Sequence, residues 1–270
     1  VVCCTDRFTP RTRTETLNGV RVVRCATLGT LFSMPLSPVF PFRLWGRVRR
    51  AGVAVFHLPF PLGTLSGLFL PVRFPIMLFW HSDIVRQKAF KKAVEFLQNK
   101  LCRKAVRILT TSPNLARASG VLSRFPDKVS VVPLSAPATP DALGPGPTER
   151  PATLPPLAPG FALFLGRLCY YKGLDVLGEA LSGLEGEDLR SFPVVIAGEG
   201  PLEGEIRERL ERSGHNAVTF IPRHVDEGEK AWLLENAAFL LFPSTEPSEA
   251  FGIIQLEAMA RGLPVINTAL

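Results

Sequence analysis

The chain alternates short apolar runs with longer amphipathic stretches. Runs rich in Val, Ile, Leu and Phe fall at residues 20–24, 53–58, 76–80, 108–111 and 129–133, and again at 161–165, 194–197, 218–221 and 239–242. Their near-continuous apolar character fits strands buried on both faces of a parallel sheet. Helical periodicity is predicted over 84–107, from Asn114 onward, and over 202–212, 227–236 and 256–261. The last of these ends at Gly262-Leu263-Pro264, a Gly-then-Pro stop. Strands alternating with helices predict the α/β class, a parallel sheet covered on both faces. The pattern breaks once, where eight prolines crowd residues 137–159 together with Gly144 and Gly146. That composition predicts a linker at 136–159, without a core element, between an N-terminal domain at 1–135 and a second domain at 160–270.

Charge separates the same two halves. Residues 1–150 hold 22 Lys and Arg against 7 Asp and Glu, whereas residues 151–270 hold 9 against 17. A basic half points to nucleic acid or anionic lipid. Arg86, Lys88, Lys91, Lys92, Lys100, Arg103, Lys104 and Arg107 share the predicted helix at 84–107 with Phe90, Val94, Leu97 and Leu101. Such a helix either touches a membrane surface or packs by its apolar stripe as an ordinary surface helix. Aromatics interleaved for base stacking are missing, and no nucleic-acid partner is expected.

Residues 51–72 carry no charge, long enough to cross a bilayer, but Pro59, Pro61, Gly63, Gly67 and Pro71 interrupt them. A strand, a loop, a short helix and the strand at 76–80 are predicted instead. The five cysteines and four histidines form no CxxC pair and no Cys/His cluster, so reduced thiols and no metal site are expected. No basic segment followed by an apolar run marks a secretory signal. A start at Val1-Val2-Cys3-Cys4 predicts a fragment.

Two segments carry candidate chemistry. The run Phe161-Ala162-Leu163-Phe164-Leu165 leads into Gly166-Arg167-Leu168-Cys169-Tyr170-Tyr171-Lys172-Gly173. An Arg and a Lys thus leave the C-terminal end of a parallel strand, where ligands bind in open α/β sheets. Both can reach a diphosphate; the plain alternative is a pair of solvated charges. After the strand at 239–242 comes Glu249-Ala250-Phe251-Gly252-Ile253-Ile254-Gln255-Leu256-Glu257. A helix opening there offers unpaired N–H groups to an anion, and the two carboxylates can grip hydroxyls. A sugar joined to a diphosphate wants all of these features. Gly198-Glu199-Gly200-Pro201 is close to a dinucleotide fingerprint, but Gly204 comes one position too late. His81 follows a strand end, and Asp83 is expected to cap the helix after it.

Read in order, Gly166-Arg167-Leu168, Lys172-Gly173, Ala197 to Pro201, Pro243-Ser244, Glu249, Phe251-Gly252, Glu257-Ala258-Met259-Ala260, Gly262 and Pro264-Val265-Ile266 resemble a known donor domain. It is that of the retaining family 4 glycosyltransferases (glycosyltransferase group 1), which have the GT-B fold of two Rossmann-like domains. Trp80-His81-Ser82-Asp83-Ile84-Val85-Arg86-Gln87-Lys88 and Thr111-Ser112-Pro113-Asn114-Leu115 are similar to bacterial members that build surface polysaccharide, mannosyltransferases among them.

The resemblance implies Arg167 and Lys172 on the diphosphate, with Gly166 and the backbone of Phe251, Gly252, Ile253 and Ile254 beside it. It further implies Glu257 on the ribose, Glu249 on the donor sugar, His81 near the reaction centre, and Arg223-His224 holding the base through backbone atoms. Glu257 could instead be a structural partner of a Lys, and Phe251 a packing residue. Pro222 stands where the family often has Gly, which leaves the base open. The implied donor is a GDP- or UDP-sugar, GDP-mannose included. The acceptor would be lipid-linked or a growing polysaccharide at the inner face of a bacterial membrane, with the protein cytoplasmic and peripheral. No cofactor or metal is implied, in keeping with the lack of an Asp-x-Asp motif. The family's first strand and Gly-rich turn would precede Val1 and further donor elements would follow Leu270, so the fragment alone is expected to be inactive. Other readings are an epimerase or phosphorylase of the same fold, a non-catalytic sugar-nucleotide or membrane-binding module, and a Rossmann oxidoreductase, which the poor glycine fingerprint disfavours.

Overall fold

In the computed structural model the chain divides into two units, Val1–Pro133 and Leu134–Leu270. The structure describes all residues except 6, 32–33, 84–87, 136–145, 185–191, 214–216, 247–248, 250 and 269–270. Ile84 to Gln87, Ala250 and the first ten residues of the expected linker therefore lie outside the described residues.

The N-terminal unit opens with β1 (Val2–Cys4), β2 (Arg13–Leu17) and β3 (Val20–Cys25), in the order β1-β3-β2. β3 runs parallel to β1 and antiparallel to β2. The strand expected at 20–24 is thus not part of the unit's main parallel sheet. The cause is local: Asn18 and Gly19 have φ of 48° and 78°, the left-handed pair that a two-residue hairpin needs. A small ladder follows, β4 (Thr30–Leu31) with β5 (Met34–Pro35), and then α1 (Phe40–Val48).

The main sheet is built from β6 (Ala54–Leu58), α2 (Pro61–Leu68), β7 (Ile76–Trp80), α3 (Lys88–Lys104), β8 (Arg107–Thr110), α4 (Pro113–Ala118) and β9 (Val129–Val131). Its four strands are parallel and in chain order. Phe56, Leu58, Ile76, Leu78, Trp80, Leu101 and Ile108 form its core. The uncharged stretch folds as expected into a strand, a turn and a helix that begins with Pro61, where a missing N–H costs nothing. Among the described residues no helix is long and apolar enough to cross a membrane.

α3 ends sooner than the pattern at 84–107 predicts, and Arg107 belongs to β8. Lys128 Nζ marks the stop. It donates to the carbonyls of Cys102, Arg103 and Ala105 at 3.2, 2.6 and 2.8 Å, groups that a helix C-terminus leaves open. Lys104 serves α2 in the same way, donating to Gly67 O and Leu68 O at 3.2 and 3.0 Å and to Leu70 O. Its ammonium is turned inward, and desolvation lowers its pKa. The carboxylate of Asp83 accepts from Trp80 Nε1 at 2.9 Å and Ser119 Oγ at 2.8 Å, so it ties β7 to the turn after α4; the N–H groups it is expected to cap lie outside the described residues.

The C-terminal unit contains β10 (Phe161–Leu165), α5 (Leu174–Ser182), β11 (Val194–Ala197), α6 (Glu203–Ser213), β12 (Val218–Ile221), α7 (Glu227–Asn236), β13 (Ala237–Phe242), α8 (Ile253–Ala260) and β14 (Val265–Asn267). All five strands are parallel, in the order β12-β11-β10-β13-β14. Successive residues of β10 point to opposite faces. Phe161, Leu163 and Leu165 enter one core layer, while Ala162 and Phe164 enter the other. That is why no polar position interrupts the run.

Two readings of this half need correction. α8 starts at Ile253, three residues before Leu256, because Gly252 at φ 71° turns the chain into the helix immediately after Phe251. The Pro-rich stretch is also not free of core contacts: Leu154 is 3% exposed within a core cluster that Leu157 flanks. Thr153 Oγ1 reaches Glu229, and Gly146 N donates to Glu235 at 3.0 Å. The prolines prevent regular structure there without preventing leucine burial.

Candidate functional site

Relative to chain order, the C-terminal sheet runs third, second, first, fourth, fifth strand. Between β10 and β13 the winding reverses, and at such a switch point the loops diverge to leave a crevice at the strands' C-terminal edge. The loops after β10, β11 and β13 meet at this edge. Gly166 N bonds to Ala197 O at 3.0 Å, Leu168 N to Glu199 O at 2.9 Å and Thr245 N to Tyr171 O at 3.2 Å. Glycine makes the approach possible. A Cβ on Gly198 would lie 1.9 Å from Gly166 O, and one on Gly173, at φ 64°, 1.8 Å from Pro243 O. The segment that resembled a weak dinucleotide fingerprint is therefore a packing surface for the Gly166 loop.

Inside this frame the structure brings Lys172 and Glu249 together. Their Nζ and Oε2 atoms are 2.6 Å apart, and the side chains are 11% and 13% exposed. A 3₁₀ turn at Tyr170–Lys172 aims the lysine inward. Its ammonium lies 4.8 Å from the centre of the Phe242 ring, within range of cation–π attraction. A Cβ on Gly166 would come within 3.6 Å of it. The same Phe242 ring backs Gly252, the residue before α8, where an added Cβ would meet it at 2.7 Å. Gly166, Lys172, Glu249 and the start of α8 at Ile253 and Ile254 thus share one end of the sheet. Glu249 Oε2 also accepts from Ser244 Oγ at 3.3 Å, and Ser244 is fully buried. Beside them, burial and a hydrogen bond with Cys169 push the Tyr171 phenol above its usual range, while Arg167 works in the opposite sense. Arg167 itself is exposed and makes no ion pair among the described residues.

The remaining candidates have partners of their own. Glu257, on the second turn of α8, accepts from Lys230 Nζ at 3.0 Å, and Lys230 also pairs with Glu227 at 2.8 Å. Burial pulls the Lys230 pKa down, but the two carboxylates outweigh it and raise it. The structural pairing of Glu257 with a Lys is therefore present. Arg223 follows β12 and forks onto Glu229 Oε2 and Oε1 at 2.8 and 2.6 Å, with a third bond to Thr153 O at 2.8 Å. Glu229, 2% exposed, closes a capping box with Asp226 at the start of α7. The Arg223 fork and further hydrogen bonds lower its pKa to about 2. The same guanidinium donates to His224 O at 3.1 Å, and Arg223 N donates to Ile221 O at 2.8 Å, so the arginine fork is taken up in holding this turn against α7.

His81 belongs to the N-terminal unit, just past β7. Its Nε2 is 2.8 Å from His57 Nδ1, and both rings lie against Phe79. Desolvation, then His57, lowers the His81 pKa, holding the ring neutral. Phe251 is half-buried. Among the described residues no group of three or more His, Cys, Asp or Glu is placed to hold a metal ion. Sequence reasoning missed His57, Tyr171, Phe242 and Lys230. His57, Phe242 and Lys230 meet His81, Lys172 and Glu257, residues distant in sequence, and the burial of Tyr171 follows from the fold around its turn, so no local pattern marks them.

Two family profiles divide the chain where the fold divides. One described as Glycosyl transferase 4-like domain matches residues 1–135, and one described as Glycosyl transferases group 1 matches residues 147–269. The chain belongs to this glycosyltransferase family. Among curated glycosyltransferases it is 34% identical to the D-rhamnosyltransferase WbpZ of Pseudomonas aeruginosa over 81% of this chain and 55% of that protein. It is 32% identical to the O-antigen chain mannosyltransferase C of Escherichia coli over 78% of this chain and 55% of that protein. The chain thus spans about half the length of these relatives. A sucrose-phosphate synthase from Thermosynechococcus elongatus shares the glycosyltransferase fold, with a TM-score of 0.74 at 19% identity over 100% of this chain and 71% of that one. The fold is α/β with two parallel-sheet units, as in GT-B glycosyltransferases.

Proposed function

We propose that the protein of which this chain is part transfers a hexose from a GDP- or UDP-sugar to a lipid-linked or polysaccharide acceptor, with retention at the anomeric carbon. The observation that carries this reading is the buried Lys172–Glu249 pair beside the start of α8 at the sheet's switch point. As the bond from the anomeric carbon to the diphosphate breaks, negative charge grows on the leaving phosphate. Lys172 and Arg167, with the first N–H groups of α8, meet that charge, and fixed positive groups of this kind lower the barrier. Glu249, freed from Lys172 by the incoming phosphate, accepts from sugar hydroxyls, and Glu257 takes the ribose. Gly166 and Phe251 to Ile254 line the phosphate, the backbone at Arg223 and His224 holds the base, and neutral His81 donates to the sugar. No metal or cofactor enters this scheme.

Both curated relatives are named for sugars of manno configuration, since rhamnose is 6-deoxymannose, and a manno-configured donor is favoured here. The excess of basic residues in the N-terminal half, α3 included, supports peripheral contact with an anionic membrane on the cytoplasmic side. A screen of labelled GDP-mannose, UDP-glucose and UDP-N-acetylglucosamine against lipid-linked acceptors, with anomeric configuration read by NMR, tests the reading. Transfer from none of them, with no nucleotide binding by calorimetry, would discard it.

A further inference from the structure

Residues 16–82 hold seven arginines and no acidic residue. Within this stretch three aromatic rings gather on the outside of α1 and α2. Phe42 packs edge-on against Trp45 at 5.7 Å, and Trp45 against Phe69, the residue that closes α2, at 6.4 Å. Trp45 Nε1 is tied to Ser66 O at 3.3 Å, which holds the indole on α2. Phe42 and Phe69 are each 69% exposed, and Val72 just beyond them 88%. Single exposed apolar residues are ordinary, but large ones adjoining one another mark a contact surface. Arg43 adjoins Phe42, Arg49 lies one turn beyond Trp45, and Arg73 follows Val72, all of them exposed.

We propose that this aromatic and arginine surface of α1 and α2 docks the protein on an anionic lipid bilayer. Aromatic rings favour the boundary between headgroups and acyl chains, and arginine forks match lipid phosphate. Charge decides the occupant. A second copy would set these arginines against their own kind, whereas an anionic surface attracts each of them. The inference rests on the membrane contact proposed above but moves it away from α3, where Lys104 is spent on α2.

Trp45 reports the contact, because it is only half-buried while Trp80 and Trp232, the other two tryptophans, are 0% and 4% exposed. The purified protein is mixed with vesicles of phosphatidylcholine alone or with phosphatidylglycerol, and binding is read by cosedimentation and by quenching from brominated acyl chains. Binding to the anionic vesicles only, with quenching, is expected. Phe42→Ser with Phe69→Ser should weaken it about tenfold or more, and Arg49→Gln or Arg73→Gln about fivefold each. Circular dichroism melts of the variants, expected to match wild type, check that these exposed substitutions leave the fold intact. Binding kept in the Phe variants but lost in Lys92→Glu with Lys100→Glu would overturn this surface while leaving membrane contact through α3. Wild-type protein that binds neither vesicle, or both equally, would overturn membrane contact altogether.

Discussion

At the residue scale the decisive feature is that Lys172 and Glu249 neutralise each other in a nearly dry setting. Removing one partner of such a pair leaves the other charge stranded, which complicates a single substitution. Lys172→Ala is expected to lower turnover by about two to three orders of magnitude, the usual cost of losing one stabiliser of developing charge. The double variant Lys172→Ala with Glu249→Gln separates the causes. Recovery of turnover in the double variant would show that the stranded carboxylate, not the lost ammonium, did the damage. Glu257→Gln and Glu249→Gln should differ in kind. Calorimetry with GDP or UDP is expected to show lost affinity in the first, while the second binds nucleotide and transfers slowly; equal loss of affinity in both would remove the distinction.

Glu229 offers a test that is independent of activity. Its folded-state pKa of about 2 lies below the unfolded value, so its pairing with Arg223 stabilises fully above roughly pH 5 and fades as pH falls toward 2. Glutamine keeps the capping box but not the charge. Urea melts of wild type and Glu229→Gln should therefore differ at pH 7 and converge on acidification. A gap that stays constant down to pH 2 would mean that the Arg223 pair contributes nothing.

At the scale of elements, the close approach of the loops after β10, β11 and β13 rests on Gly173 and Gly198. Gly173→Ala or Gly198→Ala would drive a Cβ into a backbone oxygen that cannot yield, and a loss of more than about 2 kcal/mol in thermal melts is expected. Gly204 is the control, being helical with nothing within 4 Å of its would-be Cβ. Gly204→Ala should be neutral or stabilise by up to about 1 kcal/mol. This contrast also shows what the sequence could convey. β10 and β11 were legible because burial on both faces leaves an unbroken apolar run. β2 was not, because all five of its residues are exposed and Arg13-Thr14-Glu15-Thr16-Leu17 shows no apolar alternation; only Asn18-Gly19 signalled the hairpin. The start of α8 was placed late because a left-handed glycine opens it without a side-chain cap. Of the site, the loops and their glycines could be read locally. The pairing of Lys172 with Glu249, or of Lys230 with Glu257, could not, because strand order alone brings those positions together.

At the scale of the molecule, the two units have separate cores, the first centred on Trp80 and Ile108 and the second on the layers either side of β10. Independent cores predict that unfolding departs from a single two-state transition. Scanning calorimetry should resolve two transitions, and nucleotide should act on them unequally. The diphosphate and ribose candidates Lys172, Arg167 and Glu257 all belong to Leu134–Leu270. A ligand that binds only the folded form stabilises it by about 2.7 kcal/mol at a hundredfold excess over its dissociation constant. For a unit of this size that is a rise of several degrees in one transition, with the other left in place. Lys172→Ala should shrink the rise, and Phe42→Ser, on the opposite unit, should not change it. Equal movement of both transitions would show that nucleotide contacts are shared between the units, and no movement of either would place the nucleotide site outside this chain.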